Sequence, residues 1–316
     1  MPMFIHASSF YVPEREIDNH YFQQKNGLSS DWIVERTGII KRRRAGEAEN
    51  SQTMGLEAYH KLKAKLAFDP AEFDLIVCAT YTPYDTIFTM AHALQREMGV
   101  EDIPVLTVDT ACSSLLNAFE VVEGYFAMGK AARALVVAAD HNTMYSDDMD
   151  QVSGHLWGDG AVAFALTKHR ILDSDATIHQ IFTAGAATAG KAPEGVLLRP
   201  GRGGLFMPNG RDVFLHACTY MSAVAKKLLK SNQLEMSDIS WFIPHQANLR
   251  ITKNVAEQLA FPMEKCISNI QNYGNTGCAG SGIAYAAHGD RFSKGERVLM
   301  AVFGGGYSYG GCLIEM

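Results

Sequence analysis

Val105-Leu106-Thr107-Val108-Asp109-Thr110-Ala111-Cys112-Ser113-Ser114 is a β-rich apolar run closing on small polar residues, and a second apolar run, Leu115 to Val122, follows at once. The order predicts a strand, a tight turn and then a helix. Leu115 to Val122 is apolar around much of a helical circumference, so that helix belongs inside the molecule rather than on its surface. Cys112 therefore stands at a strand-to-helix turn, on the first turn of a buried helix. Free backbone N–H groups and the positive end of the helix dipole there favour a thiolate. A thiolate is a nucleophile at neutral pH, whereas a thiol mostly is not.

The same succession recurs later in the chain. Leu75 to Thr80 is a buried-strand pattern with a counterpart in Trp241 to His245. Val105 to Cys112 has one in Cys266 to Gly277, the helix Ser113 to Gly129 in Ala279 to Gly295, and Leu135 to Ala139 in Val298 to Val302. Four elements in one order at nearly one offset indicate duplication. The strands are short continuous apolar runs, as expected when helices cover both faces. Two βαβαβ halves, residues 1–170 with the cysteine and 171–316 with a later His and Asn, give a layered α/β architecture with the central helices between sheets.

Three polar side chains stand beyond strand ends: Cys112, His245 in Ile243-Pro244-His245-Gln246-Ala247-Asn248, and Asn275 in Gly274-Asn275-Thr276-Gly277. Sites in α/β sheets are built at such carboxyl ends. Composition narrows the rest. A net charge of −6 and a pI near 6.0 argue against nucleic acid as a partner. The six cysteines form no C-x-x-C pair and no metal-type spacing with histidine, so five of them read as small buried hydrophobes in a reducing compartment. No run nears the roughly 18 apolar residues of a membrane span, and no signal peptide is visible, so a cytoplasmic location is expected. Gly304-Gly305-Gly306 lacks the Lys-Ser/Thr of a phosphate loop and the spacing of a dinucleotide fingerprint, and reads as a tight turn on the catalytic floor.

The chain resembles the β-ketoacyl-acyl-carrier-protein synthase III group of the thiolase-fold condensing enzymes over essentially its whole length. The resemblance rests on Asp31 to Ile39 (DWIVERTGI), the cysteine block, Trp157-Gly158-Asp159-Gly160-Ala161, Pro244 to Arg250, Gly274-Asn275-Thr276 and Gly304 to Tyr307. Elongating synthases use two histidines and biosynthetic thiolases a second cysteine. The Cys-His-Asn set is that of the synthase III or chalcone-synthase-like branch.

The resemblance implies a thiolase-like αβαβα sandwich, a homodimer and a decarboxylative Claisen condensation. Cys112 takes an acyl group from a thioester. The backbone N–H groups of Cys112 and Gly306 hold the oxyanion, and His245 with Asn275 holds the enolate oxygen formed when malonyl-carrier protein loses CO₂. No metal or redox cofactor is needed. Acyl-coenzyme A or acyl-carrier protein, and malonyl-carrier protein, are the substrates.

Trp32 and Arg36 lie four apart on one helical face, where indole and guanidinium can sandwich the adenine of coenzyme A, with Arg250 at the tunnel mouth. Arg250 and Lys253 are the expected carrier-protein contacts. Ile87, Phe88 and Phe214 are the expected acyl-pocket wall, the first two at the dimer interface. Lys41 to Arg44 is expected to be a solvated loop. Two other functions stay open at this point: a specialised ketosynthase that joins acyl chains or cyclises a diketide in pigment, polyketide or signal biosynthesis, and a non-catalytic subunit that only holds acyl chains.

Overall fold

Nine strands frame the molecule in the computed structural model, which describes residues 2–316. They are β1 (Met3–Tyr11), β2 (Leu75–Ala79), β3 (Val105–Val108), β4 (Arg133–His141), β5 (Asp159–Thr167), β6 (Ala176–Gly185), β7 (Trp241–Pro244), β8 (Arg297–Phe303) and β9 (Ser308–Glu315). Every residue of β2 and β5 is buried, which is why these strands read as unbroken apolar runs rather than as alternating ones.

The strand order is β7-β8-β9-β6-β1-β5-β4-β2-β3. Outward from the β1–β6 junction the two sides repeat each other. On one side β1–β5 and β5–β4 pair antiparallel, then β4–β2 and β2–β3 parallel. On the other side β6–β9 and β9–β8 pair antiparallel, then β8–β7 parallel. The junction itself is short, joining Met3–Ile5 to Ala176–Ile178. The expected counterpart of β3 is reduced to one parallel bridge, Phe242 to Cys266.

Helices α1 (Ser30–Thr37), α2 (Ser51–Lys63), α3 (Met90–Met98), α4 (Ser114–Ala127), α5 (Gly210–Ser231), α6 (Leu249–Gln258) and α7 (Gly280–Ala287) build the remaining layers. The central helix α4 packs on β2, β3 and β4 of one half-sheet and on β6 and β9 of the other. Its neighbour α7 packs on β1, β5 and β7. Leu115, Leu116, Phe119, Val122 and Phe126 of α4 share one core with Ile243, Ile283, Val298 and Met300. Helices α2 and α3 cover the outer face of the first half-sheet, and α5, backed by α6, covers that of the second. Five layers result. Helix α7 is shorter than the expected Ala279–Gly295, because the chain leaves it at His288 and continues in a single 3₁₀ turn, Gly289–Arg291.

β3 ends the sheet with its outer edge unpaired, and Val105, Leu106 and Val108 are only half-buried. No helix among the described residues is long and apolar enough to cross a membrane.

Candidate active site

Cys112 follows β3 through a turn whose geometry is held from several sides. Ala111 adopts φ +53°, a left-handed conformation that costs a residue with a Cβ about 1–2 kcal/mol. The Asp109 carboxylate accepts from the Ala111 N–H at 3.0 Å, and the Ser114 hydroxyl donates to the Ala111 carbonyl at 2.6 Å. From the far half of the chain, Ser308 Oγ donates to the Thr110 carbonyl at 2.6 Å. Strain paid for in this way is typical of a site that must present one side chain.

Ser113 is the cap of α4, so Cys112 lies just before the helix and not on its first turn. The expected thiolate is also corrected. Burial, reinforced by the Asp140 carboxylate, pushes the Cys112 thiol up to about 12. The resting residue is a thiol at neutral pH.

The loop after β8 reaches this turn. Gly304 lies so close that a Cβ there would stand 2.7 Å from the Cys112 amide nitrogen and 3.2 Å from that of Ser113. The Gly305 N–H is directed at the Cys112 sulfur, and Gly305 lines the same cavity as Cys112. Gly306, the residue expected in this place, turns away with φ +64° and has open space where a side chain would be. The close approach therefore belongs to Gly304 and Gly305. Gly304→Ala is expected to push the loop off the Cys112 and Ser113 amides and slow acyl transfer about 10–10²-fold with little change in KM, measured as single-turnover acylation.

His245 leaves β7 beside β8, its N–H donating to the Ala301 carbonyl at 2.8 Å, three residues before Gly304. Burial lowers its imidazole to about 4, so the ring is neutral. Nδ1 is buried without a hydrogen-bond partner, so no protein group holds the proton there. Its turn is locked by Gln246, whose Nε2 donates to the Pro244 carbonyl at 2.6 Å while Oε1 accepts from the Asn269 N–H at 2.9 Å.

Asn275 is nearly fully buried. Its N–H donates to the Leu156 carbonyl at 2.8 Å, its carbonyl accepts from the Gly158 N–H at 3.0 Å, and its Oδ1 accepts from the Gly277 N–H at 3.1 Å. With Oδ1 so used, the amide presents its N–H₂ on the other side. The Trp157-Gly158 block has a structural reason. A Cβ on Gly158 would lie 1.9 Å from the Tyr273 carbonyl, so only glycine lets β5 approach the Asn275 loop. Asp159 accepts from the N–H groups of Ala45 and Thr143, as expected of a residue bonding turn amides. The two turns of the C-terminal half meet at Gly280, where a Cβ would touch Gln246 Cβ at 3.1 Å and Thr276 Oγ1 at 3.2 Å.

Two cavities lie in this region, and neither is lined by His245 or Asn275. One, of about 360 Å³, opens on Cys112 and is walled by Tyr81, Val196, Leu198, Leu205 and Gly305. The other, of about 400 Å³, is walled by Trp32, Arg36, Phe214, Arg211, Asn248 and Arg250. They adjoin along the strand Gly204–Phe206, with Leu205 on the first and nearby Met207 on the second.

The sequence matches the family descriptions 3-oxoacyl-[acyl-carrier-protein] synthase III over residues 106–188 and its C-terminal part over residues 229–316. It is 32% identical to a β-ketoacyl-[acyl-carrier-protein] synthase III of Nitratidesulfovibrio vulgaris, with 99% of each chain covered. The 3-oxoacyl-[acyl-carrier-protein] synthase III of Aquifex aeolicus superposes with a TM-score of 0.92 at 30% identity, covering 99% of this chain and 100% of its own. The chain belongs to the β-ketoacyl-[acyl-carrier-protein] synthase III family.

The priming β-ketosynthase of the R1128 polyketide pathway is also similar, with a TM-score of 0.90 at 27% identity, covering 99% of this chain and 96% of its own. The protein is thus a thiolase-fold acyltransferase of the condensing type, acting on acyl and carrier-protein thioesters. That sets aside the non-catalytic subunit.

The remaining expected site residues lie around and outside these cavities. Ile87 is 84% and Phe88 42% exposed, and neither lines this chain's own Cys112 cavity. Both backbone N–H groups are tied to the Asp85 carboxylate, which turns the segment outward. Phe214 walls the outer cavity, not the acyl side.

Arg36 lies directly on Trp32, 4.8 Å from the ring centroid, with His155 edge-on to the same indole. The guanidinium thus already covers one face of the indole and leaves no room for a third ring between them, so these two do not form a clamp as they stand. Arg250 reaches the outer cavity, while Lys253 is exposed one turn further along α6 and lines neither cavity.

Lys41 to Arg44 is not a solvated loop. Arg42 is fully buried on Asn19 and the His155 carbonyl, Arg44 forks onto Asp148 at 2.6 and 2.9 Å, and Arg43 pairs with Glu16. Sequence reasoning missed Tyr81, Asp140 and Asn142, polar residues beside the cysteine that carry no motif.

Proposed function

We propose that Cys112 is the nucleophile of a two-step condensation, and that the cavity opening on its sulfur takes the acyl chain. The observation that carries this reading is the convergence at that sulfur of one cavity, the Gly305 N–H and the turn that exposes the cysteine. In the first step the sulfur attacks the thioester carbonyl, the N–H groups of Cys112 and Gly305 hold the oxyanion, and the donor's thiol leaves with the proton. In the second, malonyl-carrier protein loses CO₂. The electron pair of the broken C–C bond becomes an enolate, whose oxygen accepts from His245 Nε2–H and the Asn275 amide. The enolate carbon attacks the acyl group, the C–S bond breaks, and Cys112 leaves as a thiolate that regains a proton from water.

The outer cavity, with Arg36, Arg211 and Arg250 on its wall, suits a phosphopantetheine arm, and Trp32 offers an aromatic face beside it. Arg250 and Lys253 lie exposed on one side of α6, where an acidic carrier protein would meet them. A homodimer is supported by the unpaired edge of β3 and the exposed Ile87 and Phe88. Since Asp109, the residue after β3, lines the Cys112 cavity, a partner's Ile87 and Phe88 would close it. The division of the chain into halves 1–170 and 171–316 is supported by the repeated strand pairing about the β1–β6 junction.

Incubation with acyl-coenzyme A and acyl-carrier protein, followed by intact mass and peptide mapping, tests the reading. One acyl group is expected per chain, on the peptide holding Cys112. No adduct with either donor class, or an adduct on another cysteine, would refute it.

A further inference from the structure

A line of polar groups runs from Cys112 to Asn275 and takes no part in the roles above. Tyr81 stands just beyond the carboxyl end of β2, with its backbone N–H donating to Asp140 Oδ1 at 3.0 Å. Its ring walls the Cys112 cavity. Its hydroxyl donates to Asn142 Oδ1 at 2.6 Å and stands beside the Cys112 sulfur on the wall of the same cavity, near enough to act on the thiol. Only a glycine fits behind it, since a Cβ on Gly277 would lie 2.7 Å from the hydroxyl oxygen.

The polarity of this network is determined. Asn142 is fully buried, and its Nδ2 donates to the carbonyls of Gly158 at 2.8 Å and Asn275 at 3.2 Å. Both amide hydrogens are thereby used. Oδ1 must face Tyr81 as an acceptor, and Tyr81 must be the donor in that bond. One phenolic proton therefore has two candidate acceptors, Asn142 Oδ1 and the sulfur.

Which of them wins depends on the state of the cysteine. Against a neutral thiol the amide oxygen is the better acceptor, and the S–H can rest on the phenol oxygen. Against a thiolate the balance reverses, because a hydrogen bond to an ionised acceptor is roughly twice as strong as a neutral one. The sulfur needs such a donor. The titratable groups around it are Asp140, Asp109, Cys278 and Tyr81, and the two carboxylates oppose its ionisation. His245 is neutral.

We propose that Tyr81 is a catalytic hydrogen-bond donor whose O–H turns from Asn142 to the Cys112 sulfur as the thiol loses its proton, and returns once the sulfur is acylated. Tyr81 neither gains nor loses a proton. The thiol's proton ends on the thiol that leaves the acyl donor. The proposal rests on Cys112 being the nucleophile, and it gives the acylation step a second side-chain participant in the N-terminal half.

The rate of Cys112 alkylation by iodoacetamide against pH tests it without any acyl donor. In Tyr81→Phe alkylation at pH about 7–8 is expected to slow about tenfold, the equivalent of about one pH unit in the thiol, and acyl transfer slows with it. A Tyr81→Phe protein with wild-type melting temperature and an unchanged or faster alkylation rate overturns the proposal. If Tyr81→Phe does not fold, fluorotyrosine at position 81 replaces it. This more acidic phenol is a stronger donor and speeds alkylation near neutrality, and a rate unchanged or slowed overturns the proposal. Wild-type protein that forms no adduct at Cys112 would instead refute the nucleophile. Wild-type protein that acylates normally, with an alkylation rate indifferent to Tyr81, refutes only the role given to the tyrosine.

Discussion

Cys112→Ala forms no acyl adduct with any donor, and its condensation rate falls by about 10⁴-fold or more, to the level at which an enolate attacks a bound thioester without a covalent intermediate. The fold survives the change. The substitution removes one sulfur from a site that already borders a cavity, so no large new void is created and the melting temperature shifts by only a few degrees.

The other five cysteines do not substitute for it. Cys78, Cys278 and Cys312 are buried in the core clusters, with thiols pushed up by burial. Cys218, pushed up to about 11, packs inward from α5, and Cys266, pushed up to about 12, stands at the bridge beside β7. None of the five lines the cavity that Cys112 faces. Intact mass after exposure to acyl-coenzyme A and acyl-carrier protein, with a thermal melt on the same samples, decides the matter. An adduct that persists in a folded Cys112→Ala protein would mean that another residue carries the acyl group.

The parts of this molecule that could be read in advance are those governed by burial on both faces and by duplication. Leu75 to Ala79 and Val298 to Val302 are continuous apolar runs because helices cover them from both sides, and their repeated order announces two halves. Cys112, His245 and Asn275 could be read because each closes such a strand or its turn.

What could not be read depends on long-range geometry. Three consecutive glycines do not say which amide points at the sulfur, and the answer, Gly305, is set by Ser308 holding the loop onto Thr110. A helix N-terminus near a cysteine suggests a thiolate. Burial, reinforced by Asp140 held among Thr80, Tyr81, Thr82 and Cys278, reverses that, and nothing local to Cys112 reveals it. Tyr81 is one tyrosine in a loop until Asn142 is seen to use both its amide hydrogens elsewhere. The basic run Lys41 to Arg44 looks solvated until Asn19 and Asp148, distant in sequence, are found to bind two of its guanidinium groups.

His245→Ala is the second large effect, and it separates the half-reactions. The neutral imidazole and the Asn275 amide are donors for an oxygen that becomes fully anionic only as malonyl-carrier protein loses CO₂. Removing one preorganised donor of this kind costs about 2.7–4 kcal/mol, so decarboxylation is expected to fall about 10²–10³-fold. Acyl transfer to Cys112 uses a different pair of donors, the N–H groups of Cys112 and Gly305, and is expected to fall by less than about tenfold in the same variant. Asn275→Ala should give the same asymmetry. The double variant should lose less than the product of the two, since both donors serve one oxygen.

The pH dependence follows from the sign of the histidine shift. Burial holds the imidazole at about 4, below the usual value of 6.5, so the neutral, donating ring persists as pH falls and is lost only near that lower value. Wild-type decarboxylation should therefore show no histidine-linked fall between pH about 8 and about 5.5. A midpoint near 6.5 that disappears in His245→Ala would show an exposed, ordinary histidine, and equal loss of both half-reactions in that variant would remove His245 from the enolate role.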